Sequence, residues 1–368
     1  MSQAERIKVA LLFGGRSDEH DVSLISAASI FSHLDQEKYE VLSIYINRMG
    51  FWRLVPSPLV SKKELLSGEF YSFLPWNSSP FLKYLQADIY FPVLHGPFGE
   101  DGTIQGLFEL AGVPYVGAGV LASAIGMDKI ICKTIWHSLG LPVVPHLPLL
   151  LSQWVSDKKS SLTKIKDNFS FPLFVKPANL GSSVGISKVK NEFQLEQAIQ
   201  KAFSYDNKIL IEKAITGREI ECSILGNEHP RASLPGEIIP SREFYDYQDK
   251  YLENKAKLIA PADLPYEKIK EIQDLSIKAF QAIDGQGMAR VDFFLEQGSE
   301  QVYLNEINTI PGFTAISMFP KLWEVSGVPY NRLLEELIHL GFHRFQKRFV
   351  KQNSPQQGCS FLDNQREK

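Results

Sequence analysis

Apolar residues run without a break from Ile7 to Phe13 and stop at Gly14-Gly15. An unbroken apolar run of this length reads as a strand buried on both faces, as in a parallel sheet. A helix is predicted from about Val22 to Leu34, a second strand over Val41–Ile46, and a third over Ile89–Leu94, ending at His95-Gly96. Strand, helix and strand in alternation predict a doubly wound α/β domain. Between these strands, Pro56–Pro80 is rich in Ser, Pro and Lys and reads as an irregular insertion. Gln105–Ala111 reads as a helix. A short apolar strand, Val113–Val116, and Gly117-Ala118-Gly119 follow it.

A second region opens near Met127. It holds a helix over Lys129–Leu139, a strand over Phe171–Lys176, a glycine–serine turn over Gly181–Ser187, a helix over Glu192–Phe203 and a strand over Lys208–Glu212. A third region opens near Arg218 with a strand over Glu219–Leu225. A polar, Tyr-rich loop (Glu243–Lys257) and a long helix (Tyr266–Ile283) come next. Strands Arg290–Glu296 and Gln301–Ile307 then form a hairpin around Gly298, and a helix near Tyr330–Lys347 closes the pattern. The pattern predicts an N-terminal α/β domain over 1–120, a small central α+β domain over 121–214 and a larger C-terminal α+β domain over 215–350. The polar tail 351–368 is expected to be disordered.

Composition narrows the class. The chain has 368 residues, 44% of them hydrophobic and 22% charged, an ordinary soluble composition with enough apolar material for more than one core. A net charge of −3 offers no basic face, so nucleic acid is not expected as a partner. No apolar run approaches the roughly 18–20 residues of a membrane span. The N-terminal apolar run lacks a small-residue cleavage site and suits a buried strand better than a signal peptide. Cys132, Cys222 and Cys359 are few, odd in number and widely spaced, with no metal or redox spacing. A reducing cytoplasm is the simplest location.

The hairpin carries the first candidate chemistry. Alternation puts Arg290 with Asp292 on one face, and Glu306 with Asn308 on another. Paired in register, two carboxylates and an amide oxygen would converge beside an arginine. Hard oxygen ligands of this kind suit Mg²⁺ that also holds nucleotide phosphates. A surface hairpin with a solvated salt bridge would account for one such pair. The continuation Thr309-Ile-Pro311-Gly312-Phe313-Thr314 weighs against that, because it adds backbone donors and hydroxyls. Lys176-Pro177 precedes Asn179-Leu-Gly181-Ser182-Ser183-Val-Gly185, a lysine at a strand end before a Gly/Ser loop. Such a loop can clamp phosphate or be a plain surface turn. It is not a Walker A loop. Lys129 is a second clamp candidate or an ordinary helix lysine. Strand Ile209–Ile215 could present backbone groups to an adenine edge, with Glu219 near ribose.

At the N-terminal end, Gly14–Ser23 joins strand to helix without a dinucleotide fingerprint. Its acids would repel phosphate and suit an ammonium group, although Asp18 or Asp21 is expected to cap the helix. His95 lies among three glycines at a strand's C-terminal end, where α/β ligand sites lie. A lone His is more often structural.

Together GGRSDEHDVS, HGPFGEDGTIQG, MDK, VKPANLGSSVGISK, IEKAITGRE, FYDYQDKY, ARVDFF and NEINTIPGFTAIS resemble the D-alanine–D-alanine ligase family of the ATP-grasp superfamily, in order, from Val9 to about Leu340. The resemblance implies an ATP-grasp fold. ATP would lie between the second and third domains, with Lys129 and Lys176 on its phosphates. Glu212, the backbone of Lys213–Ile215 and Glu219 would hold adenine and ribose, flanked by Phe244 and Phe294. Asp292, Glu306 and Asn308 would bind two Mg²⁺ or Mn²⁺. Arg290 and the Gly312 N–H would stabilise a tetrahedral intermediate, and Lys250 would touch the transferred phosphoryl group. Glu19 would hold the first substrate's amine, His95 would lie near its reacting end, and Ser317 would anchor the second substrate's carboxylate. Tyr251 and Ser182 or Ser183 would link to Glu19. In the family, a Tyr at the position of Tyr251 goes with dipeptide formation. The implied reaction joins two D-alanine molecules for peptidoglycan precursors, and the implied assembly is a homodimer.

Overall fold

A computed structural model describes residues 6–71, 87–240 and 256–353. The predicted roles of Phe244, Lys250 and Tyr251, most of the loop Glu243–Lys257 and the tail after 353 lie outside the described residues.

The first sheet holds strands β1 (Ile7–Gly14), β2 (Tyr39–Ile46), β3 (Trp52–Val55), β4 (Glu69–Phe70) and β5 (Ile89–Val93), in the order β4-β3-β2-β1-β5. β1 is parallel to both β2 and β5, while β3 and β4 add an antiparallel edge. Val9, Leu11 and Phe13 enter one core and Ala10 and Leu12 another, which is why β1 is apolar at every position. Strand order reverses at β1, so the loops leaving β1 and β5 share one crevice. Helix α1 (His20–His33) leaves β1. Its N-cap is Glu19, whose side chain makes no capping bond, and Asp21 pairs with Arg48 at 3.1 Å. Neither Asp18 nor Asp21 provides the expected cap. The described part of the Pro56–Pro80 segment, residues 56–71, is more regular than expected. It contains α2 (Lys62–Ser67), capped by a reciprocal Ser61/Glu64 box, and β4. α3 (Thr103–Ala111) follows β5. Val113–Val116 forms no strand: a single bridge, Tyr90 to Tyr115, ties it to β5.

α4 (Val120–Met127) and α5 (Lys129–Ser138) lead to a four-stranded antiparallel sheet. Its strands are β6 (His146–Leu150), β7 (Leu173–Pro177), β8 (Ser187–Val189) and β9 (Lys208–Lys213), in the order β6-β9-β7-β8. α6 (Leu151–Ser156), α7 (Lys158–Asn168) and α8 (Glu192–Phe203) accompany it. Trp154, Ile165, Leu195 and Ile199 from these helices fill its core.

The third sheet contains β10 (Gly217–Gly226), β11 (Arg231–Ala232), β12 (Gly236–Ile239), β13 (Lys257–Ile259), β14 (Gly287–Glu296) and β15 (Val302–Asn308). Its order is β13-β12-β10-β14-β15, with β11 on β10. α9 (Tyr266–Ala282) packs on β10 and β14. Cys132 and Trp136 of α5 share this sheet's core, not that of the four-stranded sheet. α10 (Met318–Val325) and α11 (Tyr330–Asn353) supply Phe319, Trp323, Leu333, Leu334, Leu337 and Ile338 to the core of the first sheet. Ile310 and Phe313 join the same core.

Candidate active site

β10, β14 and β15 place Glu221, Asp292 and Glu306 in one row, Asp292 being paired with both of the others. Two residues along, Arg290 pairs with Asn308. Val291, Phe293 and Leu295 turn to the core, so Arg290, Asp292 and Phe294 turn away from it. The register then shifts: Asp292 pairs with Glu306 but Phe293 with Leu304, which leaves Asn305 as the extra residue of a bulge. The bulge turns two consecutive residues toward two different lysines. Asn305 meets Lys176 Nζ at 3.3 Å, and Glu306 meets Lys129 Nζ at 3.2 Å.

A cavity of about 520 Å³ lies between the four-stranded sheet and this row. Lys129, Lys176, Ser182, Ser183, Glu212, Lys213, Ile215, Glu219, Asp292, Phe294 and Glu306 all line it. Glu219 and Phe294 are direct cross-strand partners. Lys129 Nζ also donates to the Leu180 carbonyl at 2.8 Å. Burial works against its charge, but Glu306, Glu212 and Glu100 outweigh burial and raise its pKa. Ser182 and Ser183 hold φ of 49° and 60°, a left-handed pair uncommon outside glycine. Strain of this kind is characteristic of ligand loops.

Glu212 does more than the sequence suggested. Its carboxylate is buried between Lys176 Nζ at 2.5 Å and Lys133 Nζ at 2.7 Å. Burial alone would raise the Glu212 carboxyl, yet the two lysines hold it at about 2. Lys133 was not singled out in the sequence. The signal was present: Lys129, Lys133 and Trp136 stand at i, i+4 and i+7, one buried face of α5. Glu221 is a further member of the cluster that the strand pattern alone does not mark. Arg290 makes a bidentate pair with Asp292, both bonds 2.7 Å, and its Nε lies 3.2 Å from Glu221. Burial opposes the guanidinium charge, but Asp292, Glu221 and Glu306 hold its pKa well above the usual value. Asn308 Nδ2 donates to Asp292 at 3.0 Å.

The crevice at β1 and β5 holds the remaining residues. Ser182 Oγ donates to Glu19 Oε1 across from the Gly/Ser loop. A Cβ on Gly96 would sit 2.6 Å from Glu19 Oε2, and one on Gly181 2.9 Å from it, so only glycine admits this approach. His95 is anchored on both sides. Nδ1 lies 3.0 Å from the Ile310 carbonyl and Nε2 3.1 Å from Ser26 Oγ. The carbonyl accepts only, which assigns the proton to Nδ1 and leaves Nε2 to accept from Ser26. Burial lowers the His95 pKa and keeps the ring neutral. Glu100 grips the same segment, accepting from Ile310 N–H at 3.1 Å and Gly96 N–H at 2.8 Å. Past that segment, Ser317 Oγ accepts from Thr314 N–H at 3.0 Å and closes on Gly312, where a Cβ would lie 2.6 Å from it.

Burial raises the Glu100 carboxyl to about 8, and neighbouring Glu19 adds to the shift. The folded chain therefore holds this proton more tightly than the unfolded chain, where about 4.3 is usual. Its contribution to stability is complete below about pH 4 and is lost as pH rises to about 8. Glu100→Gln is expected to flatten that decline. Denaturant midpoints across this range would test it, and an unchanged slope would refute the raised carboxyl.

Comparison with known proteins agrees with this geometry. The family model described as "D-ala D-ala ligase N-terminus" matches residues 8–118, and that described as "D-ala D-ala ligase C-terminus" matches 135–339. The D-alanine–D-alanine ligase of Natranaerobius thermophilus is 48% identical over 354 residues, covering 94% of this chain and 97% of that protein. That of Thermoanaerobacter pseudethanolicus is 50% identical over 351 residues, covering 91% and 96%. Among solved structures, the D-alanine–D-alanine ligase from Coxiella burnetii superposes with a TM-score of 0.83 at 39% identity, over 94% of this chain and 98% of that one. The VanG D-Ala:D-Ser ligase from Enterococcus faecalis gives 0.79 at 33%, over 92% and 100%. The fold is of the ATP-grasp ligase class. Within it, the chain belongs to the D-alanine–D-alanine ligase family.

Proposed function

We propose that the protein joins two D-alanine molecules, converting ATP and two D-alanine into D-alanyl-D-alanine, ADP and phosphate through D-alanyl phosphate, for peptidoglycan precursor synthesis. The observation that carries this reading is the Glu19 carboxylate, cradled by Gly96, Gly181 and Ser182 beside the nucleotide cavity. A carboxylate so enclosed suits an ammonium group and repels phosphate.

In this reading ATP occupies the 520 Å³ cavity, with Lys129 and Lys176 on its phosphates. The 212–215 backbone and Glu219 face adenine and ribose, and Phe294 and Phe244 flank the base. Asp292, Glu306 and the Asn308 amide oxygen form a hard oxygen set that fits Mg²⁺ or Mn²⁺. Such ions neutralise phosphate charge when bound. Glu19 fixes the first D-alanine so that its carboxylate meets the γ-phosphorus, and positioning supplies most of the rate. Ser317 holds the second carboxylate. Arg290 and the Gly312 N–H then receive the oxyanion as the amine attacks. The anchored ring of His95 fixes the Ile310 backbone on which that turn depends.

Lys250 at the γ-phosphoryl group and Tyr251 as the determinant of dipeptide formation belong to the same proposal. So does the division into domains at about residues 120 and 214, under which every domain has a sheet of its own. A cytoplasmic homodimer is included too, and among the described residues no helix is long and apolar enough to cross a membrane. The deciding experiment is ADP release with D-alanine, D-serine or D-lactate as acceptor, with products identified by mass. D-alanyl-D-alanine is the expected main product. A depsipeptide, a D-alanyl-D-serine product, or ADP without condensation would reject the reading.

A further inference from the structure

Lys133 is a buried lysine with no place in the mechanism above. It is 1% exposed and sits behind Glu212, which separates it from Lys176 and the cavity. A lysine on an apolar helix face loses its hydration, and burial lowers its pKa. The chain retains it at a position where Leu or Met would fill the same volume. Its one ion-pair partner among the described residues is Glu212 Oε1, and the other oxygen of that carboxylate holds Lys176. The three groups form a line, ammonium, carboxylate and ammonium, with a net charge of +1. Without Lys133, the carboxylate would belong to Lys176 alone and the pair would sum to zero. The clamp lysine would then present a neutralised group to an anion.

We propose that Lys133 is a positioning residue for nucleotide binding: it shares the charge of Glu212 so that Lys176 keeps its own for the phosphates. This rests on the nucleotide cavity proposed above. Glu212 thus serves as a spacer that holds Lys176 in place while Lys133 offsets its charge. The arrangement explains why Glu212, which lines the cavity, carries a carboxylate pinned from both sides. In a low-dielectric interior an uncompensated carboxylate so close to Lys176 would compete directly with phosphate.

The test compares binding of MgATP and adenosine by calorimetry in wild type, Lys133→Met and Lys133→Met/Glu212→Gln. Lys133→Met is expected to weaken MgATP about tenfold or more, the scale of one charge lost from a shared buried pair. Adenosine, which carries no phosphate, is expected to stay within about twofold of wild type. The double variant is expected to bind MgATP more tightly than Lys133→Met, because the competing carboxylate charge is gone. A structural role alone would weaken both ligands together and would not be reversed by a second substitution in the same cluster. Equal loss of both ligands, no loss of either, or a double variant no better than the single would overturn the proposal. Should Lys133→Met fail to fold, Lys133→Gln keeps a donor toward Glu212 without charge and is expected to give the same split. If wild-type protein bound no MgATP, the fault would lie with the nucleotide site itself and would show before any variant was made.

Discussion

Arg290→Lys is expected to lower kcat by about 10²- to 10³-fold, the usual cost of losing one donor aimed at a developing oxyanion. The charge is retained, so the loss is one of geometry. The guanidinium makes two parallel 2.7 Å bonds to Asp292 while its Nε also approaches Glu221. A lysine offers a point charge on a flexible stem and cannot meet both carboxylates in one plane. Because Asp292 and Glu221 keep a cationic partner, the fold should survive, unlike the case of a buried carboxylate left alone. Arg290 does not itself line the nucleotide cavity but holds Asp292 and Glu221, which do, and it also influences the charge states of His95 and Glu100. Because lysine keeps a cation beside those two carboxylates, MgATP affinity should fall far less than turnover. Kinetics of ADP release, with MgATP affinity measured separately, resolve the two. A kcat within about fivefold of wild type would remove Arg290 from the chemical step.

Much of this site was legible in the sequence because its residues sit on strands with regular alternation. Arg290, Asp292, Glu306 and Asn308 could be placed by counting in twos, and the register pairs them as counted. The bulge was not legible. Nothing in Tyr303-Leu-Asn-Glu-Ile says that two consecutive residues, Asn305 and Glu306, will both find lysines. Lys133 escaped because a single lysine in a helix is usually solvated, and its burial depends on a sheet far away in sequence. The stretch from Val143 to Asn168 was unread for a different reason. Its prolines and scattered serines break both periodicities, and β6, α6 and α7 gain their order from packing Leu149, Trp154 and Ile165 on the four-stranded sheet. Conversely, the acids after β1 suggested a helix cap. The crevice formed with β5 instead draws Glu19 inward to Ser182, a contact 163 residues away that local pattern does not encode.

That inward carboxylate sets the second large effect. Glu19→Gln is expected to lower kcat/KM for the first D-alanine by about 30- to 10³-fold, the range for truncating a buried charge pair. Glutamine has nearly the same volume and keeps a carbonyl oxygen for Ser182, so the loop contact and the fold are retained. What disappears is the charge opposite the proposed substrate ammonium, at a carboxylate closely flanked by Gly96 and Gly181. Glu100 adds no compensation, since its carboxyl is raised to about 8 and it is committed to the Gly96 and Ile310 N–H groups. Glu19 does not line the nucleotide cavity, so MgATP affinity should be unchanged. Gly96→Ala tests the same geometry from the other side. Its Cβ would stand 2.6 Å from Glu19 Oε2 and displace the carboxylate without altering any charge, and the loss should again fall on the first D-alanine. Equal losses for both D-alanines, or weakened MgATP binding in either variant, would mean that Glu19 orders the Gly/Ser loop and does not hold the ammonium.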